Sequence, residues 1–426
     1  MLTVVTAEAG TPWKRQRPCI PVLGRVAGLR RVLRTMVRTT WTWVWICVAG
    51  VPGTAWSHQW YIQPSVLMQT YYNDNLRLNP GPHAALWGAI GDVSAKLGVR
   101  SQVSGLSLTP QLRDYRYVGY SGANGYDHLA RTVNMAAFYQ TQTDAWNVNA
   151  TYDHDSTLTS ELLDSGRVNF NIPRETLNLQ QSWVSEWTPR ASIQVDAGYT
   201  RTSHNNGLVY GLRDYRVINA GATLEYKLTH RQSLTATASG SRYTAPAYFD
   251  DRTDSYVVRG GWVSHWTERT VTSAGGGLLI NRTRLNIFGV PLKSTRHGYV
   301  LHANASTASE RTTWSADLSR NVDPTSFGVL MQRDQASAKV TRGLTPYMDG
   351  SIDGLWLHSK TLQNSLETID RSLEQVELKL KWRYAAHWAL DGGYRWTRQD
   401  YGHGAGQSNV VFLNLRYTGL KRFVSY

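Results

Sequence analysis

The chain has 426 residues, of which 41% are hydrophobic and 18% charged, with a mean hydropathy of −0.39. Beyond the first fifty residues no apolar run approaches the ~20 residues of a spanning helix, which excludes a helical membrane protein. The formal charge of +14 falls to +7 once residues 1–55, with eight bases and one acid, are set aside, so no nucleic-acid partner is expected.

The N-terminus orders its residues as a secretory signal does: Arg30, Arg31, Arg34 and Arg38, then the apolar WTWVWICVAG, then Pro52 and the small residues Gly53 and Ala55. Cleavage is expected after Ala55, making residues 1–55 an extension plus signal peptide and 56–426 the mature domain. Met36 would begin a signal of ordinary length, which makes residues 1–35 an upstream extension. The competing reading, a membrane anchor, is disfavoured by the shortness of the apolar run. Both cysteines, Cys19 and Cys47, fall in the removed segment, and the mature chain would hold neither a disulfide nor a cysteine-based metal site.

From Trp60 onward, apolar and polar residues alternate with a period of two in about eighteen segments: 60–70, 87–98, 102–114, 128–141, 144–157, 174–186, 191–203, 214–227, 232–243, 254–266, 270–283, 296–307, 312–321, 331–342, 347–358, 372–384, 388–399 and 408–417. Period two is the strand period, and about ten residues suffice for a tilted membrane strand. The connectors alternate between tight turns such as TQTD, WTPR and YAAH and longer, Gly-, Asn-, Asp- and Pro-rich loops such as YYNDNLRLNPGPHAA, TSELLDSGRVNFNIP and LNIFGVPLKS. This rhythm predicts an all-β, transmembrane antiparallel barrel of about 18 strands, with 16 as the alternative, short periplasmic turns and longer extracellular loops. No blade-sized repeat favours a propeller. A sheet in hydrocarbon has no free edge, so segment 60–70 is expected to pair with 408–417.

The stretch QVELKLKWRY, residues 375–384, shows the two faces most plainly. Val376, Leu378, Leu380, Trp382 and Tyr384 lie on one side, and Gln375, Glu377, Lys379, Lys381 and Arg383 on the other. Lipid accepts the first face and a watery lumen the second, because a Lys or Arg at the bilayer midplane costs about 2–4 kcal/mol. The same reasoning assigns Asp196, Glu225, Lys227, Asp317, Lys339, Glu377, Lys379, Lys381, Arg383, Asp391, Arg395 and Arg416 to the lumen, with Glu225 beside Lys227 and Asp391 beside Arg395 as interleaved charges. Seventeen Trp and 23 Tyr against 7 Phe favour rings with a polar tip, suited to membrane interfaces. Trp187, Trp266, Trp382, Tyr384 and Trp388, each near a tight turn, are the expected interface aromatics.

Catalytic chemistry is not expected. YDHDST clusters Asp153, His154 and Asp155, and Asp127 precedes His128, but rim residues facing water explain both, and neither a GxSxG nor an HExxH motif is present. No cofactor and no metal is implied. LRDYR occurs at 112–116 and again at 212–216; it is either a duplicated saccharide or lipopolysaccharide contact or a structural rim signature, the second being favoured. LQNSLETIDRSL places Leu362, Leu366, Ile369 and Leu373 at helix-like spacing, and a short helix and a loop remain equal alternatives.

WYIQPSVLMQTYYNDNLRL, with Tyr71, Tyr72, Asn73, Asp74 and Asn75, resembles the opening of Gram-negative outer-membrane barrels associated with exopolysaccharide and exosortase loci. Residues 318–348, in which an Arg and a Pro-Ser/Thr-x-Gly outer loop precede an alternating strand, resemble their late hairpin. The resemblance implies an outer-membrane channel for export or passage of an extracellular polysaccharide. Polysaccharide or oligosaccharide would occupy the lumen, periplasmic export partners would act with it, and lipid and lipopolysaccharide would surround it. A small-solute porin and a structural or adhesive barrel without transport are the alternatives.

Overall fold

The computed structural model describes residues 59–119, 123–164, 170–246, 251–287, 290–326, 330–362, 370–402 and 404–425. The signal-segment reading of residues 1–55 lies outside them. The strands are β1 (Gln59–Asn73), β2 (Leu86–Arg100), β3 (Ser104–Val118), β4 (His128–Gln140), β5 (Asp144–Ser156), β6 (Pro173–Thr188), β7 (Ala191–His204), β8 (Tyr215–Lys227), β9 (Gln232–Ala245), β10 (Asp251–His265), β11 (Thr270–Ile287), β12 (Val290–Ala308), β13 (Thr312–Pro324), β14 (Leu330–Thr345), β15 (Met348–Thr361), β16 (Asp370–Ala385), β17 (Trp388–Asp400) and β18 (Ala405–Thr418). A four-residue piece, β19 (Arg422–Ser425), continues β18 along the same neighbour. Among the described residues one α-helix, α1 (Thr157–Asp164), follows β5, and two single 3-10 turns stand at Ala123–Tyr126 and Gly207–Tyr210.

Each strand pairs antiparallel with the next, and β1 pairs with β18 from Ser65↔Thr418 to Asn73↔Val410. The sheet therefore closes into an 18-strand barrel. Closure follows from the exterior: strands with one greasy face in hydrocarbon must satisfy every N–H and C=O within the wall. All eighteen segments read from the alternation coincide with strands. Gln59 and Ser425 pair with each other, and Gln59 also pairs with Arg100 beside the 101–103 turn, so both ends of the barrel chain lie at the short-turn, periplasmic side.

The seam between first and last strands has two local peculiarities. At its inner end Pro64 of β1 has no N–H to give the ladder. The register sum changes by one there, from Ser65↔Thr418 to Ile62↔Arg422, and the last strand breaks into β18 and β19. Gly419 fills the break, donating its N–H to the Pro64 carbonyl at 2.8 Å; a Cβ on it would lie 2.7 Å from the proline ring. At the outer end the Asn73-Asp74-Asn75 triplet clasps β18. Asp74 accepts from the Asn409 backbone N–H and Nδ2, both at 2.6 Å, Asn73 Oδ1 accepts from Ser408 Oγ at 2.9 Å, and Asn75 Nδ2 donates to the Gln407 and Asn79 carbonyls, each at 2.9 Å.

One sequence expectation needs correction, and one stays open. LNIFGVPLKS is not a long loop: β11 and β12 extend into it from both sides, pairing out to Ile287↔Val290, β-branched residue types that favour strands. In LQNSLETIDRSL, Asp370–Leu373 belongs to β16 and Leu373 is buried in the lumen wall; residues 363–369 lie outside the described ones.

Candidate functional site

The outward face carries an unbroken apolar belt. Leu108 and Leu112 are half-buried on β3, whereas Leu177 and Leu179 on β6, Ile218 and Leu224 on β8, Val258 (65% exposed) on β10, Leu278 (73%) on β11, Leu318 on β13, Ile352 on β15 and Val411 and Leu413 on β18 are exposed. Register makes the belt continuous, since Val258 is directly opposite Leu278 and Leu378 opposite Tyr394. Water disfavours so large an exposed apolar surface, and lipid favours it. The location is the bacterial outer membrane.

Trp187, Trp382, Tyr384 and Trp388 project outward near the short turns, and Trp266 stands exposed in the turn after β10, its Nε1–H donating to Thr272 Oγ1 at 2.8 Å. Trp382 and Tyr384 approach to 5.6 Å and Trp388 and Tyr417 to 4.9 Å between ring centres. These aromatics stand at three of the short turns, at the edge of the belt.

All twelve residues assigned to the lumen occupy the inward-facing positions of their strands. Lys339 binds Asp353 at 2.9 Å, Arg383 binds Asp349 at 3.2 Å, Arg395 binds Glu377 at 2.6 Å and Arg416 reaches Asp391 at 3.5 Å. The expected neighbours Asp391 and Arg395 thus choose other partners. Residues four apart on a strand are separated by ~13 Å, whereas cross-strand neighbours lie ~5 Å apart. Glu225 and Lys227 form no ion pair among the described residues, and neither do Asp317, Lys379 and Lys381. Asp196 accepts from Gln194 Nε2 at 2.9 Å. An open niche of about 330 Å³ runs along this wall beside Asp317, Lys339, Asp353 and Gln375.

The feature that sequence reading missed is a segment that enters the lumen. Ser156 ends β5 and caps α1, its Oγ accepting from the Leu158 N–H at 3.2 Å and its carbonyl from Thr159 Oγ1 at 2.9 Å. Glu161 on this helix is fully buried. Its Oε1 accepts from Ser326 Oγ at 2.9 Å and stands 3.4 Å from His204 Nε2 and 3.5 Å from Arg174 Nε. Arg174 of β6 and His204 of β7 are inward-facing, and Ser326 follows β13. Arg371 of β16, also fully buried, donates to the Leu162 carbonyl. β16 lies eight positions from β6 by the shorter way round an 18-strand ring, where nine would be diametrical, so α1 is anchored to nearly opposite walls. Gly207 lets the β7–β8 connector close over His204, whose Cβ a glycine Cβ would meet at 2.6 Å.

Beside this crossing the outer half of the lumen also carries aromatic patches. Tyr71, Tyr115, Tyr117 and Phe412 gather with Leu86 and Val410, and His128 stacks on Tyr115 at 4.2 Å. Across the barrel Tyr215, Tyr243 and Leu330 form a second patch, with Tyr243 donating to the Thr325 carbonyl at 3.3 Å. Alternation alone could have placed Tyr115 and Tyr117 opposite Leu108 and Leu112, but the charge-based search passed over them.

The acid and histidine clusters do not assemble. In β5, Asp153 and Asp155 point inward and His154 outward, as a two-residue period requires. Asp127 accepts the Tyr117 N–H at 2.8 Å rather than meeting His128. Among the described residues no group of three His, Cys, Asp or Glu could hold a metal ion. The two LRDYR copies share one arrangement: Tyr115 and Tyr215 enter the lumen patches, while Arg116 and Arg216 face outward at the rim.

No family model matches the chain, and no curated protein matches it in sequence. Among solved structures the barrel is similar to the outer membrane protein OpdK from Pseudomonas aeruginosa, with a TM-score of 0.44 and 11% identity over 86% of this chain and 99% of that one. It is also similar to OccAB4 from Acinetobacter baumannii, with a TM-score of 0.43 and 9% identity over 88% of this chain and 100% of the other. For OccK8 (OprE) from Pseudomonas aeruginosa the TM-score is 0.45 and the identity 10%, over 85% and 98%.

Proposed function

We propose that the barrel is a passive porin for small hydrophilic solutes, its bore narrowed by the segment that crosses it. The observation that carries this reading is the anchoring of α1 to β6 and β7 through Glu161 and to β16 through Arg371. An eighteen-strand barrel is wide enough for an aqueous channel. A strap across it leaves room for compact solutes and obstructs a continuous hydrated polymer. The polysaccharide-export reading needs a clear bore, so the small-solute alternative is preferred over it. A purely structural barrel would have no need of the mixed, water-facing charges lower in the lumen, from Glu377 to Arg416.

Liposome swelling with sugars of increasing size tests this. Wild-type protein should admit mono- and disaccharides and exclude larger oligosaccharides, and deletion of residues 158–171 should raise the size limit. Equal rates for all sizes in both proteins would overturn the proposed constriction; no permeation in either would overturn the porin.

A further inference from the structure

The outward rim at the long-loop end is not uniform. Over β7 to β12 it carries Arg201, Arg216, Arg242, Arg252, Arg282, Arg284 and Lys293, each an even number of residues from an exposed, lipid-facing side chain on its own strand. Register joins them: Arg201 is opposite Arg216, Arg216 opposite Thr244, Thr244 opposite Arg252, Arg252 opposite Arg284 and Arg284 opposite Lys293. Five of the six positions in this continuous row are cationic. Directly opposed like charges destabilise a sheet. Asp254, within the patch, is already bound by Arg242 at 2.6 Å and Arg252 at 3.3 Å, and the outward acids at its edge, Glu175 and Asp214, form no ion pair with these bases among the described residues. Among the described residues Arg201, Arg216, Arg282, Arg284 and Lys293 have no ion-pair partner.

Outside this sector two outward bases have an acid. Arg320 is paired with Asp334 and Arg116 with Asp114. What sets β7 to β12 apart is that its bases stand directly opposite one another in a continuous row.

We infer that this sector binds a phosphorylated glycolipid of the outer leaflet, a lipopolysaccharide, through several anionic groups at once. The neighbours below the row decide the occupant's apolar part: Ile218, Tyr256, Val258, Leu278 and Tyr299 are exposed to acyl chains on the same strands. The slope of the row decides its head. Six positions ~4.8 Å apart, on a wall whose strands tilt by ~35–45°, climb on the order of 15 Å above the belt. A phospholipid with one phosphate meets only the lowest of these cations. A glycolipid with phosphates on its base and acidic sugars above meets them all, and the arginines then replace the divalent cations that otherwise bridge such lipids. Arginine suits the task because its fork pairs with phosphate in a bidentate manner.

The test uses the full barrel in detergent, with rough lipopolysaccharide, the same lipid after enzymatic dephosphorylation, and a variant carrying Arg201→Gln, Arg216→Gln, Arg252→Gln, Arg284→Gln and Lys293→Gln. Binding is followed by native mass spectrometry and titration in EDTA. Wild type should retain the phosphorylated lipid in EDTA, and the variant should bind it at least ~100-fold more weakly, since each basic residue near an anionic surface contributes roughly fivefold. Arg398→Gln, on the opposite sector, should bind as wild type does. Unchanged heat-modifiable migration of the variant confirms that its barrel is formed. Equal affinity for phosphorylated and dephosphorylated lipid, loss of binding in EDTA, or an unaltered variant would each overturn the assignment.

Discussion

Replacing Glu161 by Ala removes the acceptor shared by Ser326, His204 and Arg174 while leaving every wall strand intact. The carboxylate is fully buried, and Arg174 beside it is nearly so. Breaking one side of a buried charged pair costs about 3–5 kcal/mol, because the partner stays desolvated. The barrel's ladder does not pass through α1, so the loss falls on the docking of the segment rather than on the wall. A loss of ~3 kcal/mol lowers the ratio of docked to undocked strap roughly 150-fold. Single-channel recording in planar bilayers reads this directly. Glu161→Ala should show higher mean conductance and frequent large openings, with the same heat-modifiable migration on gels as wild type. Arg371→Ala, which releases the other anchor, should act in the same direction. Identical conductance and open-state noise in wild type and both variants would refute the idea that the strap sets the bore.

Reversing Lys379, Lys381 and Arg383 to Glu alters the lumen by six charges, two for each site. The reversal potential in a salt gradient should move toward cation preference, and an unmoved potential would show that ions do not pass this wall. Leu278→Arg, in the middle of the lipid-facing belt, should lower barrel stability by about 2–4 kcal/mol in a denaturant titration. Ser239→Arg, inward and two strands away on β9, should cost far less. Equal costs at the two sites would mean that the faces had been wrongly assigned.

The strands were legible because their period is local. Val376 through Tyr384 declare two faces within ten residues, and the need to leave no free edge then dictates the pairing of β1 with β18 before any coordinate is known. Ion-pair choice was not legible in the same way. Whether Arg395 meets Asp391 or Glu377 depends on the register between β16 and β17, which a single strand does not contain. The strap was hidden for a related reason. STLTSELLD shows a serine cap and helix-forming residues, but nothing in it names Arg371, more than two hundred residues away, as the group that holds it across the lumen. The lumen aromatics escaped notice because tyrosine suits a membrane interface and a pore wall equally well, and only the parity of Tyr115 and Tyr117 against Leu112 separates the two.

The Pro64 slip and the Asn73-Asp74-Asn75 clasp give the junction of first and last strands a gradient. Side chains reinforce its upper end, while its lower end makes do with a short, offset piece of ladder. Fraying of the closed wall therefore begins near the periplasm, at the side from which a newly secreted chain arrives, and the outer mouth is the part of the ring held shut most firmly.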